Sequence, residues 1–97
     1  MFTIYIIENH INNKKYIGYA ENYESRKSQH NSGLKNKSHD NRLIKNDVNL
    51  YGVDAFTIKV IACTITKYNA KRVEHLLIIE HRTLDYDYGY NKSTYLG

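Results

Sequence analysis

At 97 residues the chain has the length of one domain, near the size at which a single apolar core suffices without disulfides or metals. Its composition, 41% hydrophobic and 25% charged, is that of an ordinary soluble globular protein, and a lone cysteine, Cys63, excludes an internal disulfide and fits a reducing compartment. The opening run Met1–Glu8 has no basic lead and is too short for a signal peptide or a membrane span, so an intracellular, soluble protein is expected, in a phage host cytoplasm or an organelle for example.

Taken in chain order, residues 2–8 alternate as a β-strand, and Lys15–Ala20 follows as its partner across Asn12-Asn13, which suits the positive φ of a tight turn. An even loop places Tyr5, Ile7, Tyr16 and Gly18 on one face and Ile4, Ile6, Ile17 and Tyr19 on the other. Two tyrosines beside a glycine make a wall with a gap. Asn22 is an N-cap for a helix reaching about His30, with Arg26 and His30 one turn apart on one face. Asn31-Ser32-Gly33 is expected to end it, with a loop to Asp40. A second helix is expected over about Asn41–Tyr51, with Leu43, Ile44, Asp47, Leu50 and Tyr51 on one side and Gly52 as its stop.

Phe56–Thr64 forms the third strand, with Phe56, Ile58, Val60 and Ala62 on one face. A third helix is expected from about Asn69 to Thr83, burying Val73, Leu76, Leu77 and Leu84. The tail Asp85–Gly97 is expected to be irregular. The order β-β-α-α-β-α describes an α+β domain, a small three-stranded antiparallel sheet flanked by helices, over residues 1–97.

The net charge is +4, and Lys14, Lys15, Arg26, Lys27, Lys35, Lys37, Arg42 and Lys45 gather in the first half. Such a cluster serves as a phosphate-facing footprint, or equally as a solvated basic surface. Ten tyrosines offer stacking platforms for bases but are also ordinary strand residues. Glu74 stands on the margin of the apolar stripe of the third helix, where a carboxylate is costly unless compensated. A divalent cation would compensate it, and so would helical pairing with Lys71. His10, His75 and His81 give no metal-ligand set, and the H-E-x-x-H, Cys-x-x-Cys, P-loop and dinucleotide-turn motifs are all absent from the sequence.

The tripeptides Thr3-Ile4-Tyr5 and Tyr16-Ile17-Gly18, followed in order by Arg26, His30, Glu74 and Gly89-Tyr90-Asn91, resemble the GIY-YIG nuclease family, in particular the catalytic domains of phage and organellar homing endonucleases. Thr3 replaces the family's leading glycine, while the tyrosine that follows is kept. The resemblance implies a metal-dependent DNA endonuclease. Tyr5 would activate the attacking water, Tyr16 would orient water or phosphate, and Arg26 would grip the scissile phosphate through its planar fork. His30 would bind phosphate or relay protons, and Glu74 would hold the metal. Asn91 would have a supporting role. Gly18, Lys14, Lys15, Lys27 and His39 would lie on the substrate side.

A single carboxylate suits Mg²⁺ (or Mn²⁺), which keeps several waters and takes further ligands from phosphate. DNA is the expected partner, with no membrane. One such site cuts one strand, so double-strand cleavage would call for a dimer, repeated visits or rotation on the DNA, and an additional targeting domain would supply sequence specificity. A nucleic-acid-binding module that kept the scaffold without turnover is the alternative. An interaction domain using a sheet edge is a third.

Overall fold

The computed structural model describes residues 1–92. Three strands, β1 (Phe2–Asn9), β2 (Lys15–Ala20) and β3 (Phe56–Thr64), form an antiparallel sheet in the order β2-β1-β3. Helices α1 (Tyr23–Asn36) and α2 (Arg42–Tyr51) lie between β2 and β3, and α3 (Lys67–His81) follows. This is the expected α+β order. The last residues of the tail, 93–97, lie outside the described residues.

The β1–β2 hairpin has the anticipated register. Tyr5 lies opposite Gly18, Ile7 opposite Tyr16, Ile6 opposite Ile17 and Ile4 opposite Tyr19. Asn13 takes the left-handed turn conformation, at φ 64°. One face of the sheet buries Tyr5, Ile7 and Ala20 against Leu34 of α1, Ile44 and Val48 of α2, and Tyr90. The opposite face buries Ile4, Ile6 and Ile17 beneath Ala70 and Ile78 of α3. The central strand is therefore apolar on both sides.

Four details depart from the sequence expectations. First, α1 continues past Asn31-Ser32-Gly33 to Asn36, because Gly33 stays helical and buried and Leu34, only 2% exposed, anchors a further turn. The stop falls instead at Lys37, at φ 57°, with the Ser38 N–H reaching back to the Gly33 carbonyl. Second, Asn41, expected as the first residue of α2, caps it through its side chain, and the inner side of α2 is Ile44 and Val48. Leu50 is 70% exposed.

Third, β3 carries a bulge. Tyr5 pairs with Val60 and Ile4 with Ala62, so Ile61 is an extra residue and the alternation changes face there. Phe56 and Ile58 pack with the Tyr5 side, whereas Ile61 and Ala62 pack with the Ile4 side. Fourth, the stripe of α3 is Ala70, Val73, Leu77 and Ile78, while Leu76 and Leu84 face outward. Glu74 thus occupies the i+4 position of a core-facing stripe, between Ala70 and Ile78.

Three different groups close the outer edge of β2. The Lys15 N–H donates to the Tyr88 carbonyl at 3.2 Å, and the Ile17 N–H donates to Asn91 Oδ1 at 2.9 Å. The Tyr19 backbone lies near enough to the Glu74 carboxylate to favour its charged form. Alternate residues of an edge strand point their N–H groups outward, so tail, asparagine and helix carboxylate fall in a row along it.

Candidate active site

A cleft of about 440 Å³ runs over the β2 edge. Tyr5, Tyr16, Gly18 and Arg26 line it together with Tyr19, Lys67 and Glu74. A neighbouring cleft of about 650 Å³ shares Tyr16 and Arg26 and continues to His30 and His39. Residues far apart in the chain thereby meet along one groove.

The gap left by Gly18 is filled from within the sheet. A Cβ at Gly18 would stand 2.5 Å from Tyr5 Oη and 3.1 Å from Tyr16 Cε2, so the tyrosine hydroxyl occupies the space a side chain would take. We expect Gly18→Ala to displace the Tyr5 ring, destabilising the fold by about 1–3 kcal/mol. Thermal melting checks the effect. A wild-type value would show that the close approach is inessential.

Tyr5 is 1% exposed and packs with Tyr16, Tyr23 and His30, at ring-centroid distances of 6.5, 5.9 and 5.3 Å. Burial, followed by the nearby Tyr16, pushes its phenol well above the usual range, while a hydrogen bond and the charge from Arg26 pull the other way. Tyr5 therefore holds its proton in the free protein, contrary to the simple picture of a ready phenolate. Its oxygen lies 2.8 Å from His30 Nε2, and His30 Nδ1 lies 2.7 Å from His39 Nε2. Burial, then His39 and Arg26, lower His30 to about 4, so it is neutral at physiological pH.

Glu74 stands where its charge is disfavoured. Burial raises its carboxyl to about 7, against the pull of Lys71 and of the Tyr19 backbone. It nevertheless faces a cleft lined by polar groups. A divalent ion placed there would supply the missing charge, so the donor fits. No cluster of three or more His, Cys, Asp or Glu exists among the described residues, so water and substrate oxygens would have to complete the shell.

Other anticipated residues stand apart from the cleft. Lys15 pairs with Glu8 at 3.5 Å, and Lys14 Nζ lies 3.8 Å from the centre of the Tyr86 ring, so both are engaged at the hairpin end. Lys27 lines a shallow depression on α1. Asn91 is buried with its whole amide spent on Ile17, accepting from its N–H at 2.9 Å and donating to its carbonyl at 2.8 Å. It clamps the backbone between Tyr16 and Gly18 rather than facing the cleft. His39 has both nitrogens in use, since the Asn41 N–H donates to its Nδ1 at 3.0 Å. It braces His30 at the wall of the larger cleft.

Two residues escaped notice in the sequence. Gly33 lets His39 approach α1, since a Cβ there would lie 3.0 Å from His39 Cα. Asn41, legible in the sequence only as the first residue of a helix, also donates through Nδ2 to the Tyr90 carbonyl at 2.8 Å.

A half-buried carboxylate, paired tyrosines and an arginine along one groove define a phosphodiester-cutting class of site. The family model for the GIY-YIG catalytic domain matches residues 1–91, and the chain belongs to that family: it is an endonuclease domain. Among solved structures, the catalytic domain of homing endonuclease I-TevI is similar at a TM-score of 0.82 and 26% identity, covering 96% of this chain and 99% of that one. An alanine-substituted form of the catalytic domain of intron endonuclease I-TevI is similar at a TM-score of 0.80 and 26% identity, covering 97% of this chain and 96% of the other. No curated protein matches the chain in sequence. Nucleases of this family depend on a metal in general. No helix of the described residues is long and apolar enough to cross a membrane.

Proposed function

We propose that this domain hydrolyses DNA phosphodiester bonds with Mg²⁺, or Mn²⁺ in its place, held by Glu74. The observation that carries the proposal is the meeting of Glu74, Arg26, Tyr5 and Tyr16 in one cleft, with the carboxylate at a core-facing helical position where burial outweighs the compensation from Lys71 and the Tyr19 backbone. The bound cation would supply Lewis acidity beside the phosphate and stabilise charge on the departing oxygen.

The chain's own groups do the rest. Arg26 projects from the first turn of α1, exposed beside Tyr5, where its planar fork can meet two oxygens of a phosphate. Tyr5 receives the proton of the attacking water once its own has passed to solvent in the cleft, a loss favoured by the arginine beside it and by a donor at His30. Tyr16 lines both clefts and orients water or phosphate through its hydroxyl. Lys27 adds positive charge along α1 for the flanking backbone. Asn91 holds β2 so that Tyr16 and Gly18 keep their places. One such site cuts one strand. Cutting both strands requires a second copy or a second visit, and a further targeting domain would supply site choice.

Arg26→Lys isolates the fork from the charge. The variant should cut about tenfold to a hundredfold more slowly, with its stability unchanged, because one ammonium cannot bridge two phosphate oxygens. Single-turnover nicking of a supercoiled plasmid reads this directly. A lysine variant as fast as the wild type would leave Arg26 as a general positive charge only.

A further inference from the structure

The hydrogen bonds behind Tyr5 have a direction that can be deduced from one end. A peptide N–H can only donate, so the Asn41 N–H, 3.0 Å from His39 Nδ1, requires a lone pair on that nitrogen. The proton of His39 must then sit on Nε2, which faces His30 Nδ1 at 2.7 Å and donates to it. His30 in turn carries its proton on Nε2, 2.8 Å from Tyr5 Oη. Every link follows from the first, because a neutral imidazole has one donor and one acceptor nitrogen.

We infer, building on the proton-accepting role proposed above for Tyr5, that His39 is a positioning residue whose tautomer, locked by the Asn41 N–H, makes His30 a permanent hydrogen-bond donor to the Tyr5 oxygen. The consequence is chemical. An oxygen that always receives a hydrogen bond from behind keeps its own O–H for the cleft, and its anionic form is stabilised when that proton leaves. The opposite tautomer would have His30 Nε2 accept the Tyr5 proton in a static bond, with the hydroxyl aimed away from the substrate.

Three features hold the arrangement in place. His39 is 9% exposed and lies nearly coplanar with His30, with ring centroids 4.9 Å apart and planes 15° apart, as an edge-to-edge hydrogen bond requires. Gly33 has no side chain to push the His39 backbone off α1. Asn41 is immobilised as the α2 cap, accepting from the Leu43 and Ile44 N–H groups. The residues from His39 to Asn41 thus join the end of α1 to the start of α2 and set the polarity of a bond made to β1.

The test begins with the tautomers themselves. Long-range proton–nitrogen correlation spectra of ¹⁵N-histidine-labelled protein, free of metal and DNA, should show Nε2-protonated neutral imidazole at both His30 and His39. An Nδ1-protonated or doubly protonated ring at His30 would overturn the inference whether or not the protein cuts DNA. His39→Gln places an amide donor near the position of Nε2, whereas His39→Leu removes it. The leucine variant should lose at least about tenfold in kcat with little change in KM, as expected for one lost hydrogen bond to a charged group, and the glutamine variant should recover most of it. If leucine and glutamine were equally slow, His39 would be no more than packing. A wild type with the expected tautomers but no Mg²⁺-dependent nicking would count against the nuclease mechanism and leave the lock standing.

Discussion

Tyr5→Phe should fold, melt only several degrees below the wild type and fail to cut DNA at a useful rate. The ring fills the space over Gly18 and packs against Tyr16 and Tyr23, and phenylalanine keeps all of that apolar contact. What disappears is one oxygen, hydrogen-bonded to His30 Nε2 at 2.8 Å. Leaving that nitrogen unpaired costs about 1 kcal/mol, and losing a positioned proton acceptor costs roughly 10²–10⁴ in rate. Stability and activity therefore separate by a wide margin. Single-turnover nicking alongside a thermal melt measures both, and a phenylalanine variant that retained its rate would remove Tyr5 from the chemistry.

Glu74→Gln should show effects of opposite sign in activity and in stability. Cutting should drop by about 10³ or more, since a lost metal ligand forfeits several kcal/mol of transition-state stabilisation. Metal-free stability should rise, and the sign follows from the shift. The carboxyl is raised from 4.5 to about 7 in the folded protein, so the unfolded chain ionises first as pH increases. Glu74 therefore favours folding fully below its unfolded value, and that contribution disappears as pH climbs toward about 7. Above about pH 7 the glutamine variant should be more stable than the wild type by about 1–2 kcal/mol, after discounting for solvent screening of a partly exposed group. That corresponds to a Tm several degrees higher, on the order of 4–8 °C per kcal/mol in a domain of this size.

Adding Mg²⁺ should reverse the order. The wild type gains stability by mass action, about 2.7 kcal/mol at a hundred times Kd, and the variant gains nothing. Melting curves at about pH 4 and pH 8, with and without Mg²⁺, check the pattern. A variant less stable than the wild type at the higher pH without metal would show that the Glu74 charge is already compensated within the protein.

The parts of this architecture that could be read in the sequence are those governed by local rules. Asn13 supplies the turn, Asn22 supplies the cap of α1, and strict alternation sets the β1–β2 register. What escaped depends on packing across the fold. The run Leu76-Leu77-Ile78-Ile79 is apolar on every face of a helix, so only contact with the sheet selects Leu77 and Ile78 over their neighbours. Gly33 has the look of a helix terminator, yet it is a contact surface for a segment that returns beside it. The bulge at Ile61 adds one residue without any glycine to announce it.

The site divides along the same line. Tyr5, Tyr16, Gly18 and Arg26 lie within one local β-β-α unit, and their association is visible as spacing. Glu74 joins them only because α3 packs on the β2 edge, where the Tyr19 backbone lies near its carboxylate. Asn91 and His39 were expected near substrate. Asn91 is occupied by the Ile17 backbone, far away in the chain and brought to it by topology, whereas His39 is occupied by the Asn41 N–H two residues on, in a turn that the sequence does not announce.

The most direct measurement of the central claim is incubation of the purified protein with supercoiled plasmid, with Mg²⁺ or with EDTA, beside Glu74→Ala. Nicked or linear DNA should form only with Mg²⁺ and only in the wild type, while the variant still binds DNA. Cleavage that survived in Glu74→Ala, or that proceeded in EDTA, would contradict a hydrolysis built on a metal held at Glu74.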